Sequence, residues 1–141
     1  MKHLPTLAGA LLGLMFIAFG LMFLLDLIPE QPPPPEGSPM ALFMGALAPT
    51  GYLTFVKVLE VLGGVLVALP RTRNLGLLVL GPILVNIVAV HLFISGDGIA
   101  DPLLLTIGAL AGFLLWSERR AFAGLLAKNR GARATELKDA R

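Results

Sequence analysis

The stretch "VLGGVLVALPRTRNLGLLVLGPILV", residues 61–85, decides how the chain is read. It holds two apolar runs with Arg71 and Arg73 between them. Extended outward, the runs cover about Leu53 to Leu69 and Leu75 to Ser95, and two more flank them at about 4–28 and 102–117. Each is near the roughly 20 residues that cross about 30 Å of hydrocarbon as a helix. Lipid offers the backbone no hydrogen-bond partners, so spans at this length are helical. Of the 141 residues, 56% are hydrophobic and 14% charged, against roughly a quarter charged in soluble domains. There are too few polar residues to form the shell of a soluble domain. The expected fold is therefore all-α, an integral membrane four-helix bundle over 1–117 with a basic tail over 118–141. Cysteine is absent, which excludes thiol chemistry by this chain acting alone.

Charge fixes the expected threading. Lys2 precedes the first run, Arg71 and Arg73 separate the second and third, and Arg119, Arg120, Lys128, Arg130, Arg133, Lys138 and Arg141 follow the fourth. The other two connections carry Glu30, Glu36, Asp97 and Asp101, with no Lys or Arg. Basic residues are retained on the cytoplasmic side. Four spans place all of them on one side; three or five do not. The expectation is a bacterial inner-membrane protein with both termini cytoplasmic. The first run is longer than a signal-peptide core and no small-x-small cleavage site follows it, so it reads as a retained span.

The connections carry local signals. "EQPPPPEGSP", residues 30–39, is an extended proline-rich outer loop. Ser38 followed by Pro39 reads as an N-cap and first helical residue. The next segment, "MALFMGALA", is apolar but covers only about 15 Å as a helix. It is expected to be a short extra helix or lid, on the surface or dipping between spans. Asp101 and Pro102 repeat the cap pattern. In the tail, Ala121, Phe122, Leu125 and Leu126 form an apolar patch among arginines. It reads as a frayed positive anchor, with a surface helix as the alternative.

Charge inside the second span needs a reason. Eleven Leu, Val and Phe residues lie between Leu53 and Leu69 and favour insertion by roughly 3–7 kcal/mol in total. A central lysine or carboxylate costs about 3 kcal/mol. Lys57 and Glu60 together nearly cancel the gain, so this helix depends on partners. Their three-residue spacing puts them on one face, where they can pair. Gly64 continues that face, and glycine on a membrane helix marks close helix contact. His91 reaches a similar depth on the third span, and Asp26 ends the first. Lys57, Glu60, His91 and Asp26 form a candidate ligand-binding cluster near the outer surface, with Asn86 and Tyr52 in support. The competing reading is a satisfied polar cluster that pins helix register. Asn86 is five residues from His91, about 140° round the helix, and is expected to hydrogen-bond between helices instead. Gly9 and Gly13, and Gly108 and Gly112, fit GxxxG packing faces. Pro82 is expected to bend the third span.

With these residues in view, the chain resembles the DoxX-like family of small bacterial four-helix membrane proteins. The resemblance rests on "FGLMF" at 19–23, the proline-rich loop, "FMGALAPTGY" at 43–52, "VKVLEVLGG" at 56–64 and "GPILVNIVAVHLF" at 81–93. It covers roughly residues 10 to 95. It implies a four-helix bundle linked to membrane redox systems, including thiosulfate–quinone oxidation. Met22 stands where the resemblance implies a polar residue on the first helix; Asp26 lies one turn on.

Three functional expectations emerge. The first is a quinone-binding or accessory membrane subunit of a redox system, with His91 donating to a quinone oxygen and Glu60 accepting a proton. No haem or iron–sulfur motif is present, so a redox partner protein would be required. The second is a small-solute or proton-linked transporter, which a unit this small would achieve as a homo-oligomer. The third is a non-catalytic membrane assembly partner. A metal site lacks diagnostic spacing, and nucleic-acid binding is not expected, because threading explains the basic tail.

Overall fold

The computed structural model describes residues 3–29, 32–96, 98 and 100–124. Lys2, Glu30, Asp97 and the tail positions from Leu125 onward lie outside the described residues. All regular structure within them is helical. The elements are α1 (Leu4–Leu24), α2 (Pro39–Leu47), α3 (Tyr52–Ala68), α4 (Arg73–Val90), a π-helical segment (His91–Ser95) and α5 (Pro102–Ser117).

The caps arise from sequence. Ser38 Oγ accepts from the Ala41 amide at 3.2 Å, with Pro39 as the first helical residue of α2. Asp101 caps α5 through the Leu104 amide at 2.9 Å, ahead of Pro102. Both satisfy a donor that a helix start leaves open. Pro82 lies inside α4 without ending it. The departure from the α pattern comes later, where the π segment begins at His91.

α1 ends earlier than the apolar run suggests. The Leu27 amide bonds the Met22 carbonyl at 2.8 Å and the Asp26 amide bonds the Phe23 carbonyl at 3.2 Å. Asp26 itself is left-handed, with φ of 55°. This is the paired-bond helix ending in which a left-handed residue closes the last turn.

α1 packs on α3, α3 on α4, and α5 on both α1 and α4. Small residues let the backbones approach. A Cβ on Gly13 would collide with the Gly64 carbonyl oxygen, and one on Gly64 would lie 2.8 Å from that of Gly13. A Cβ on Gly76 would collide with the Val67 amide. Leu12, Val67, Leu80 and Leu114 are fully buried at the centre. Gly9 and Gly13 are thus packing residues, whereas Gly108 and Gly112 face open space. Large apolar side chains also cover the outside: Val85 is 71% exposed and Phe93 80%. An exterior this apolar suits lipid better than water.

Two helices are long and apolar enough to cross a membrane, Leu4–Leu24 and Arg73–Ser95. A third is reached if α2 and α3 count as one broken span, since they meet at 83°. α5 is apolar but has 16 residues. The bend between α2 and α3 uses Gly51, whose φ is 75°, and Thr50, whose hydroxyl donates to the Leu47 carbonyl and accepts from the Tyr52 amide.

Candidate functional site

The Lys57 ammonium lies 2.8 and 3.0 Å from the two carboxylate oxygens of Glu60. One turn of α3 brings them together, as three-residue spacing allows. Glu60 is 3% exposed. The lysine side chain is 26% exposed, and its amine sits 5.8 Å from the Phe23 ring centre. The carboxylate is therefore the deeper partner, and the lysine reaches it from a more open position. The chain crossing beneath it is held close by Gly64 and Gly13.

His91 starts the π segment. Its Nδ1 is 2.9 Å from the Ile87 carbonyl oxygen one turn back. The Ser95 hydroxyl donates to the His91 carbonyl at 3.1 Å. The α-helical ladder is thus interrupted at the point where the imidazole turns inward. π turns inside helices often stand at functional positions.

Two cavities meet at these residues. One, of about 250 Å³, lies between α1, α3, the end of α4 and α5, with Phe16, Phe19, Asp101 and Ile107 in its wall. The other, of about 280 Å³, lies under α2, with Phe43, Leu47 and Tyr52 in its wall. Lys57, Glu60, Ile87 and His91 line both. The polar cluster is thus common to both, with mostly apolar side chains around it in each. α2 contributes Phe43 and Leu47 to the second chamber and also packs against the π segment.

Three of the four candidate cluster residues come together; Asp26 does not. It is exposed at the end of α1 and lines neither cavity. Its left-handed backbone accounts for it as a helix terminator, since aspartate tolerates that conformation better than most residues. Asn86 and Tyr52 both line the second chamber. Asn86 is exposed and makes no hydrogen bond to another described residue, in place of the interhelical bond expected from sequence. It reaches the same chamber as His91 despite their separation round the helix. Asp101 was legible as a cap, but its place in the wall of the first chamber was not: nothing in "GIADPL" signals a neighbour some forty residues away. Among the described residues, no three His, Asp or Glu side chains are grouped to hold a metal ion.

A second ion pair stands away from the cavities. Arg73 Nη1 donates to Glu118 Oε1 at 3.2 Å, and Arg73 is 4% exposed. Sequence placed this arginine in a basic loop. It instead enters the protein beside Gly9, where a Cβ would lie 2.9 Å from its Nε. Beyond it, residues 119–124 are helical, Phe122 packs against the core, and the Arg119 guanidinium stacks 4.3 Å from the Trp116 ring centre. The start of the tail, as far as Gly124, is therefore folded onto the body.

A part of the chain is similar to a bacterial protein. The "Uncharacterized protein YwoB" of Bacillus subtilis (strain 168) is 36% identical over 74 residues, which is 52% of this chain and 47% of that protein. The chain thus spans about half the length of the relative it matches. No family model matches, and no solved structure matches.

Proposed function

We propose that this chain is a multi-pass protein of the bacterial inner membrane, a four-helix bundle of the DoxX-like kind with cytoplasmic termini, that holds a quinone headgroup for a membrane redox system. One observation carries the reading: two apolar chambers share a wall made of Lys57, Glu60 and His91. Ligand sites are mostly apolar, with a few convergent polar groups that fix orientation. Each chamber is smaller than the roughly 300–1,000 Å³ that takes a drug-sized ligand, which suits a single-ring head whose apolar tail leaves toward lipid. Phe16 and Phe19 supply flat apolar surface in the first chamber. Lys57 offers a cationic donor, Glu60 a carboxylate, and His91 an imidazole that can hold or release a proton. A quinone, when bound, would supply the two-electron chemistry, and a partner oxidoreductase would exchange those electrons.

Mass spectrometry of lipids that co-purify in mild detergent tests this. The wild type is run beside Glu60→Gln and His91→Ala, with folding checked by circular dichroism and gel filtration. A stoichiometric quinone in the wild type that is lost from the folded variants supports the reading. Folded wild-type protein that carries none, even after incubation with excess quinone, refutes it.

A further inference from the structure

The polar wall of the first chamber is short of donors. The Ile87 carbonyl oxygen facing His91 Nδ1 at 2.9 Å can only accept. Nδ1 must therefore carry the hydrogen. In the uncharged ring this leaves Nε2 bare, as an acceptor. Nε2 has no hydrogen-bond partner among the described residues, and it is not one of the buried atoms sealed away without a partner.

The other groups in that wall tilt the same way. Glu60 and Asp101 are carboxylates that, when ionised, accept only. Lys57 is the one side-chain donor besides the histidine, and two of its three N–H bonds point at the Glu60 oxygens at 3.0 and 2.8 Å. A ligand oxygen that only accepts finds one free lysine hydrogen. Both Glu60 oxygens already accept from Lys57, so a ligand hydroxyl donates to His91 Nε2 and accepts from Lys57 through the same atom.

Resting on the quinone-site reading above, we infer that the first chamber selects the reduced, hydroxyl-bearing form of the headgroup over the oxidised, carbonyl-bearing form. His91 is then the discriminating acceptor, the reverse of the donor role its residue type suggests. The selection is a matter of donor count. Once a ligand covers these polar groups, an analogue that lacks a donor leaves them unpaired and binds less tightly.

The test uses the full chain in lipid nanodiscs, titrated under anaerobic conditions with decylhydroquinone and with decylbenzoquinone, and with empty nanodiscs subtracted. The reduced ligand is expected to bind about tenfold more tightly, the size of one good hydrogen bond. In His91→Phe, which keeps ring bulk and removes the acceptor, both ligands bind with similar affinity. In His91→Gln, whose amide oxygen returns an acceptor, part of the preference comes back. Equal affinities in the wild type, tighter binding of the oxidised form, or a preference retained in His91→Phe overturns the inference while the quinone site stands. No saturable binding of either ligand overturns the quinone site itself. The wild-type comparison decides the matter even where a variant does not fold.

Discussion

Gly13 and Gly64 meet backbone to backbone, each occupying the space a Cβ on the other would need. The contact fixes how closely α1 approaches α3, and therefore how deeply Glu60, one turn away, is covered. Gly13→Val or Gly64→Val is expected to destabilise the fold by about 1–3 kcal/mol through overpacking. Gly108→Ala and Gly112→Ala, which face open space, are expected to be silent. Unfolding by SDS titration, followed by circular dichroism, separates the two classes. Equal sensitivity in both would remove the α1–α3 contact as the organising one.

Lys57 and Glu60 should be strongly non-additive. Lys57→Met strands a buried carboxylate, expected to cost about 3 kcal/mol. The double variant Lys57→Met with Glu60→Leu removes both charges and should recover most of that loss. A double-mutant cycle under the same unfolding assay reads the coupling. Simple additivity would mean that the pair contributes nothing as a pair.

Arg73 and Glu118 make a parallel case at the other site. Arg73 Nε and Nη2 are buried and have no hydrogen-bond partner among the described residues, so the guanidinium depends heavily on Glu118. Glu118→Ala is expected to destabilise more than Arg73→Met, because it leaves a buried cation behind. Trypsin sensitivity at Arg119 and Arg120 offers a local readout: release of the segment should speed cleavage in Glu118→Ala. Unchanged cleavage would show that the ion pair does not hold the segment.

Asp101 has two tasks that substitutions can divide. Asp101→Asn keeps a side-chain oxygen for the Leu104 amide and removes the charge from the first chamber. Asp101→Ala loses the cap as well, at a cost of about 1 kcal/mol. Stability is therefore expected to fall in the alanine variant and hold in the asparagine variant, while both change ligand affinity by a similar factor. Matching stability losses in the two would mean that charge, not capping, is what Asp101 provides.

The apolar runs, the two N-caps and the Lys57–Glu60 pairing were legible because each depends on residues within one or two helical turns. The end of α1 was not, because the apolar pattern runs on to Ile28 while the backbone turns at Asp26; an aspartate closing a helix looks the same in sequence as an aspartate joining a site. The burial of Arg73 was not legible for a related reason. A basic residue in a short connection normally stays in water, and only the small neighbour Gly9, on a helix some sixty residues earlier, gives it room inside. The convergence of His91 with α3 depended on depth alone. The shared chamber wall it forms with Lys57 and Glu60 needed the crossing of helices, which no local pattern encodes.

The π segment at His91–Ser95 also bears on chain length. A π turn bonds five residues ahead where an α turn bonds four, so the segment amounts to a helix carrying one surplus residue. Deleting one residue from 92–95 would let the α ladder run unbroken and would rotate the residues beyond it by about 100° relative to α4. The connection to α5 would then leave in a different direction, carrying Asp101 with it. Length at this point, more than the identity of any single side chain, would sort homologous chains into those that build the first chamber and those that do not.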